Sequence, residues 1–495
     1  MSTSTYSSRS GIIWSMEEAI SVGNGKNRRS DQLTGCDPQV DSRSVSKTRL
    51  GKRSALTMNS AKLRRSGKRT GLIDELPPTT ASRIAVLRSN IPLKLILVLV
   101  LSVLCGCAHQ QFVTQSYPRW GKEIWLSRND RDGPLPMRIQ MPAQPVVAPA
   151  CLLVVHGMNE YIGRYGDIAA YFARRFVVAG FDLYAHGLSN PTLLAADRAI
   201  RGGAAGFDVS DAYLAQADLH DLGPMRRDFD QVLRHLIEVC DQQGEPSRPI
   251  FILSHSLGAL IAASYLLEQE PVGGPRSRIQ GIVFLGPAFS VTEVPGWRGY
   301  FQTPIVKLSF YAEEHFLRSH GEPLPLLIAN QILALATVPL LDGLFEVLSW
   351  PGLRRVFSPT TPGWVPDYLS DWEEERARHR ADGYIIRRSI LRYVKGVEAE
   401  IVRFRRHMAG FATPYFLIYS GGDPITPAWG NHDFAAKTFH KHPDNQMLPL
   451  VDKVHHEHLF SAPPLRDELL GRIEGWLDRR LKSIDGVPAE RVDTR

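Results

Sequence analysis

Cysteine is scarce: five residues in 495, too few for a scaffold built on disulfides. Cys151 and Cys240 fit buried positions in a core, and their spacing gives no basis for pairing them. Long uninterrupted apolar runs are also lacking. Segment 95–103 (LILVLVLSV) belongs to an apolar run of about 10–14 residues, short of the ~20 that a comfortable membrane span needs. Segment 324–341 carries no charge, but Pro325 and Pro339 interrupt it. The main body has no basic excess. Residues 1–110 hold 17 Lys+Arg and 7 Asp+Glu, and the remainder holds 41 and 44. The overall +7 is therefore a property of the N-terminal extension and gives no argument that the body binds nucleic acid. With 43% hydrophobic and 22% charged residues, wholesale disorder and a collagenous repeat are excluded.

Residues 1–87 are rich in Ser, Thr, Arg and Lys without apolar periodicity and read as a disordered basic extension. Either it is a tail facing an anionic surface, or it is upstream sequence from a start codon placed too early. The second is preferred, because 88–107 has the plan of an export signal, which belongs near a true N-terminus. Arg88 and Lys94 give the positive region, 95–103 the apolar region, and Leu104-Cys105-Gly106-Cys107 follows. This resembles the lipobox of bacterial lipoproteins. The resemblance implies acylation of Cys107 as the mature N-terminus and a place in the bacterial cell envelope. Since Ala108, not Asp, follows, it implies the outer membrane where the host has two. An uncleaved signal anchor is the alternative. Residues 108–148 read as a tether and early strands, with 137–141 alternating as a strand with one solvated face, and 483–495 as a disordered tail.

From residue 151 onward, short apolar runs end in polar and glycine-rich segments. Strands are expected at 151–155, 176–181, 249–253, 281–285, 415–419 and 447–451, with helical patterns between, such as 225–240 and 259–269. Strands alternating with helices predict an α/β fold with a mostly parallel sheet covered on both faces. Ligands then bind beyond the carboxyl ends of the strands.

Ser254-His255-Ser256-Leu257-Gly258 lies between a strand and a helix. A serine on a sharp strand-to-helix turn projects its Oγ clear of the backbone, and small residues two before and two after, here Ser254 and Gly258, let strand and helix approach. A hydroxyl is a weak nucleophile near pH 7 and needs a base and a group to orient that base. Asp423 follows the fifth strand and His456 the last. The N–H groups of Leu257 and Met158 are candidate oxyanion donors. His455, His456 and His458 cluster in sequence, and the following Glu457 favours His456. With His440 and His442, these spacings also admit a zinc reading, but exposed loop histidines are the preferred account and no metal or cofactor is expected. His156 and His186 read as structural. Asp167, Asp182 and Asp228 read as solvated or loop-orienting.

The segments His156-Gly-Met-Asn-Glu160 with Arg164-Tyr165, Asp182-Leu-Tyr-Ala-His-Gly-Leu-Ser189, the 254–258 turn, Ser420-Gly-Gly-Asp423 through Pro427, and His456-Glu457 resemble, in order, those of the monoacylglycerol lipase and lysophospholipase group, also described as serine aminopeptidase-like hydrolases. The resemblance implies an α/β-hydrolase core at 149–290 and 411–482 and a helical cap at 291–410. It also implies a Ser256–His456–Asp423 triad and lipid-like ester substrates such as monoacylglycerols or lysophospholipids. Asn159, Ala185, Ser254 and Lys453 depart from the family's pattern. Two alternatives remain. One is hydrolysis of amides with a free amine held by Glu313, Glu314 and 373–375; the other is a non-catalytic binding module. The stretch 324–341 reads as a packed cap helix or an interfacial lid, and 371–380 as a solvated helix face.

Overall fold

The computed structural model describes residues 110–484 except 129–132, 144–147, 243–246, 269–273, 291, 293–339 and 341–342. Residues 1–109, with the expected signal segment and Cys107, and also Glu313, Glu314 and most of 324–341, lie outside the described residues.

Strand β1 (Phe112–Val113) pairs antiparallel with β6 (Phe207–Asp208) as a small separate ribbon. The main sheet contains β2 (Lys122–Ser127), β3 (Pro134–Gln140), β4 (Cys151–Val155), β5 (Val177–Phe181), β7 (Ile250–His255), β8 (Ile279–Leu285), β9 (Tyr415–Ser420) and β10 (Gln446–Leu450). Its spatial order is β2-β3-β5-β4-β7-β8-β9-β10. The six strands from β5 to β10 in that order run parallel, while β2–β3 and β3–β5 are antiparallel.

The continuous apolar runs follow from burial on both faces. Leu153, Ile252, Phe284 and Leu417 face one core cluster. Their neighbours Leu152, Phe251, Val283 and Phe416 face the other. Helices Gly223–Asp241 and Ser256–Leu267 cover the first side. Helices Gly166–Phe172 and Pro463–Ile484 cover the second, where Trp476 and Phe172 are fully buried. Strand order, crossovers and placement of the helices are those of an α/β-hydrolase. Between β8 and β9 the chain leaves the sheet. The described parts of this excursion include helices Arg354–Phe357, Glu373–Ala381 and Leu391–His407. The last packs on helix Ser256–Leu267, and Phe404 stacks on Phe289 with ring centroids 4.5 Å apart.

Four expectations are corrected. Cys151 and Cys240 form a disulfide. Strand start and helix end face the same core cluster with Cα atoms 6.5 Å apart, a proximity that a separation of 89 residues does not reveal. Strand β3 has no solvated face: Arg138 is buried, paired with Glu123 and set 5.4 Å from the Tyr117 ring. Asp228 is buried, not solvated, and paired with Arg128 at 3.0 Å, whereas Asp182, also buried, orients its loops as the second reading had it, accepting from Ile162 N, Leu188 N and Tyr117 Oη. Finally, 371–380 is not simply a solvated face, since Glu375 and His379 are buried against the core.

Candidate active site

Ser256 is the first residue of its helix, directly after β7, and its φ is +51°. A side chain in this left-handed region carries strain of order 1–3 kcal/mol. Neighbouring residues hold the turn in that shape. A Cβ on Gly258 would lie 2.3 Å from the His156 carbonyl oxygen, so only glycine lets the helix pass this close to β4. Ser254, at a position where the usual turn pattern has glycine, fits because its buried Oγ donates to the Val283 carbonyl at 3.0 Å. The Ser256 carbonyl accepts from Ala288 N at 3.1 Å, tying the turn to the loop after β8.

Asp423 follows β9 and is buried. Its carboxylate accepts from Ile425 N (2.7 Å), Thr426 N (3.2 Å), Thr426 Oγ1 (2.8 Å) and His456 Nδ1 (2.6 Å). That last bond leaves Nε2 of His456 facing away from Asp423. Burial disfavours a charged imidazole at His456, but the charge and hydrogen bond of Asp423 outweigh it and hold the pKa above the ordinary 6.5. Burial likewise opposes ionisation of Asp423, and His456 with the Thr426 and backbone donors overcomes it, leaving the carboxyl below its ordinary pKa. Gly286, at φ +47°, brings the β8 loop against this ring; a Cβ there would be 3.1 Å from Nδ1.

Met158, Ser256, Leu257 and His456 line one cavity of about 360 Å³, while Asp423 stands behind His456 and is not part of the wall. Ser254 and Gly258 frame the turn from below. Leu257 lies in the first helical turn, where backbone N–H groups lack intrahelical partners. The rest of the wall is largely apolar and includes Val365, Leu369, Ile386, Val397 and Ile401 from the cap and Ile425 from the core.

Glu160, Arg164 and Glu457 carry no catalytic assignment from the sequence. The structure joins them in a buried charge cluster beside the cavity. Glu160 accepts from Gly157 N at 2.5 Å, His255 Nδ1 at 2.6 Å and Tyr165 Oη at 3.1 Å. One carboxylate thus fixes both the turn that carries Met158 and the residue before Ser256. Arg164 reaches Glu160 (2.9 Å), Glu457 (2.7 Å) and Glu375 of the cap (3.1 Å). Burial raises the Glu160 pKa, but His255 and Arg164 reverse the effect and hold it below the carboxylate range. The signal for this cluster was the spacing of Glu160 and Arg164, four apart at the start of a helical segment.

The histidines His456 and His458 are buried, contrary to the exposed-loop reading. His458 Nε2 meets Ser420 Oγ at 3.1 Å, and burial lowers its pKa to about 3. His156 and His186 bond loop carbonyls as expected, through Nδ1 to Gly157 O and Tyr184 O, each at 2.8 Å. Among the described residues no group of His, Cys, Asp and Glu is arranged to hold a metal ion.

Ser256 thus stands strained at the end of the central strand β7, with Asp423 after β9 and His456 after β10. A hydrolase family model described as serine aminopeptidase, S33, matches residues 148–461. The chain belongs to that family. No curated protein matches the sequence. Among solved structures, a soluble variant of monoglyceride lipase from Saccharomyces cerevisiae in complex with a substrate analog is 12% identical, with a TM-score of 0.52, covering 74% of this chain and 97% of its own. A monoacylglycerol lipase from Paleococcus ferrophilus is 18% identical, with a TM-score of 0.44 and coverage of 70% and 99%. A thermostable carboxyl esterase from Bacillus coagulans in complex with glycerol is 18% identical, with a TM-score of 0.43 and coverage of 73% and 99%. At these identities the yeast likeness speaks for the fold. For this S33 chain, the residues must carry the chemistry.

Proposed function

We propose that this S33-family chain is a serine hydrolase of carboxylic esters, acting on lipid-like substrates such as monoacylglycerols or lysophospholipids. The observation that carries the reading is the apolar cavity that closes over Ser256 and His456, with the Asp423 carboxylate 2.6 Å from His456 Nδ1. His456 Nε2 takes the Ser256 Oγ proton as Oγ bonds to the ester carbonyl carbon. The carbonyl oxygen gains the electron pair and is held by the N–H groups of Leu257 and Met158. Collapse breaks the bond to the alcohol, which leaves with the proton from His456. Water then enters, gives its proton to His456 and releases the fatty acid from Ser256 by the same route. Asp423 holds the imidazole tautomer and stabilises its protonated form. The chemistry needs no metal or organic cofactor.

The test is a series of esters of increasing acyl length with the parent and Ser256→Ala. The parent should favour medium or long chains, and the variant should lose about 10⁴–10⁶ in kcat. An unchanged rate in the variant rejects the mechanism. The amide reading is weaker because Glu373 and Glu375 are already paired with Arg376 and Arg164. Preference for aminoacyl amides over monoacylglycerols would reverse that ranking. A non-catalytic binding role would be supported by the absence of turnover on both classes.

We further propose that the protein is a bacterial envelope lipoprotein anchored through acylated Cys107, in the outer membrane where there are two. The Cys151–Cys240 disulfide supports an oxidising compartment. Among the described residues no helix is long and apolar enough to cross a membrane. Mass spectrometry of the mature N-terminus tests this: a diacylated or triacylated Cys107 is expected, and an unmodified peptide spanning it rejects the anchor.

A further inference from the structure

A second cavity, of about 750 Å³, adjoins the first; Thr360, Pro362, His379 and Ile385 line both. Its rim includes Gln110 and Gln111, at the N-terminal edge of the described residues. That edge is tightly held. Gln111 N donates to Ser210 Oγ at 3.0 Å, and its side-chain amide donates to the Gly383 and Ile385 carbonyls of the cap at 2.8 and 2.6 Å. Its carbonyl accepts from Val209 N at 2.8 Å, and β1 then pairs with β6. Gly383 is packed so closely that a Cβ would be 2.4 Å from the Phe112 carbonyl oxygen. The chain is thus clamped to core and cap from residue 111 onward.

Only Ala108 and His109 separate Cys107 from Gln110. Three residue steps span at most about 11 Å. Wherever Cys107 lies, covalent geometry holds it within that distance of the cavity rim. An acyl anchor fixes its cysteine at the membrane surface. A second observation points the same way. Leu344, Val347, Trp350, Leu353 and Val356 are all more than a third exposed. They recur every third position and lead directly into Pro359 and Thr360 of the cavity wall. Large apolar side chains exposed in such a group mark a contact surface.

We propose that the second cavity is the portal through which a lipid ester passes from the bilayer to Ser256, held against the membrane by the short tether from acylated Cys107. The proposal rests on the anchor and the ester chemistry given above, and its test separates the three. Cys36 and Cys105 lie upstream of Cys107, and Cys151 and Cys240 are bonded. A cysteine introduced into the mature lipoprotein is therefore its one free thiol. Gly363→Cys places it on the portal rim, where a Cβ meets nothing within 4 Å. Ser277→Cys places it, exposed, just before β8 at the opposite end of the sheet. Nitroxide labels are read on the lipidated protein in phosphatidylglycerol/phosphatidylethanolamine vesicles. The label at 363 should be shielded from a water-soluble relaxation agent and that at 277 should not; the reverse pattern overturns the proposal.

The second arm inserts about 20 Gly/Ser residues between Ala108 and His109, which releases the orientation while keeping the anchor. Hydrolysis of a long-chain monoacylglycerol embedded in vesicles should fall at least about tenfold. Turnover of a soluble short-chain ester should be unchanged. Equal vesicle rates with and without the insert overturn the portal. An unmodified Cys107 in the mass spectrum overturns the anchor and the portal with it, while absence of soluble-ester turnover in the parent overturns the ester reading and, with it, a portal for lipid esters.

Discussion

Ser256 shows how a residue can be forced into a reactive posture by its neighbours. Its backbone strain is held by contacts on three sides: Gly258 against β4, Ser254 bonded to β8, and its own carbonyl bonded to Ala288. Gly258→Ala brings a methyl group to 2.3 Å from a carbonyl oxygen. We expect a loss of more than about 100-fold in kcat together with lowered stability, read by ester kinetics and thermal melting. Ser254→Gly restores the family's more frequent residue and removes only one buried hydrogen bond, worth about 0.5–1.5 kcal/mol. It should melt slightly earlier with kcat within about threefold of the parent; a loss as large as that of Gly258→Ala would refute this account of the turn. The pH profile reports on His456. Because Asp423 raises its pKa and catalysis needs the neutral imidazole, activity should be lost as pH falls, with a midpoint above 6.5. Asp423→Asn removes the charge that favours protonation. The midpoint should then move to lower pH while kcat falls by about 10⁴. A midpoint that stays put would show that another group titrates.

At the scale of elements, the parallel strands β4, β5, β7, β8 and β9 were legible because burial on both faces writes them as unbroken apolar runs, while β10, at the sheet edge, stays partly exposed. Strand β3 was legible as a strand but its burial was not, since Arg138 in the middle of it looks solvated until Glu123 and the Tyr117 ring are seen to cover it. Helix Glu373–Ala381 misled for the same reason: its string of charges contains two residues, Glu375 and His379, turned into the cluster around Arg164. Pairing between loops more than 200 positions apart leaves no local pattern. This cluster joins the Met158 turn, the residue before Ser256, the residue after His456 and the cap. Removing one partner leaves buried charge uncompensated, at a cost of about 3–5 kcal/mol for a simple pair. Arg164 retains Glu160 and Glu375, so Glu457→Ala should destabilise near the lower end of that range. The check is a chemical melt of the variant beside Glu474→Ala, which removes a half-buried carboxylate far from the site and should change stability by less than about 1 kcal/mol.

At the scale of the whole molecule, the order of the motifs along the chain was enough to place Ser256, Asp423 and His456 after β7, β9 and β10, because in a parallel sheet every such strand end opens on the same side. The disulfide was not legible, since it joins a strand start to a helix end through a crossover of 89 residues. Closing a loop of that size contributes about 2–4 kcal/mol. Cys240→Ser should therefore melt measurably earlier than the parent in non-reducing buffer, and the two should converge when reductant is added. The cap is the least legible part, because its helices follow the cavity they enclose and not a sheet register. The measurement that tests the central claim most directly is peptide mass spectrometry after a fluorophosphonate probe. The account predicts one adduct, on the peptide carrying Ser256, blocked by prior incubation with a monoacylglycerol. Absence of that adduct in a protein that still hydrolyses esters would contradict it.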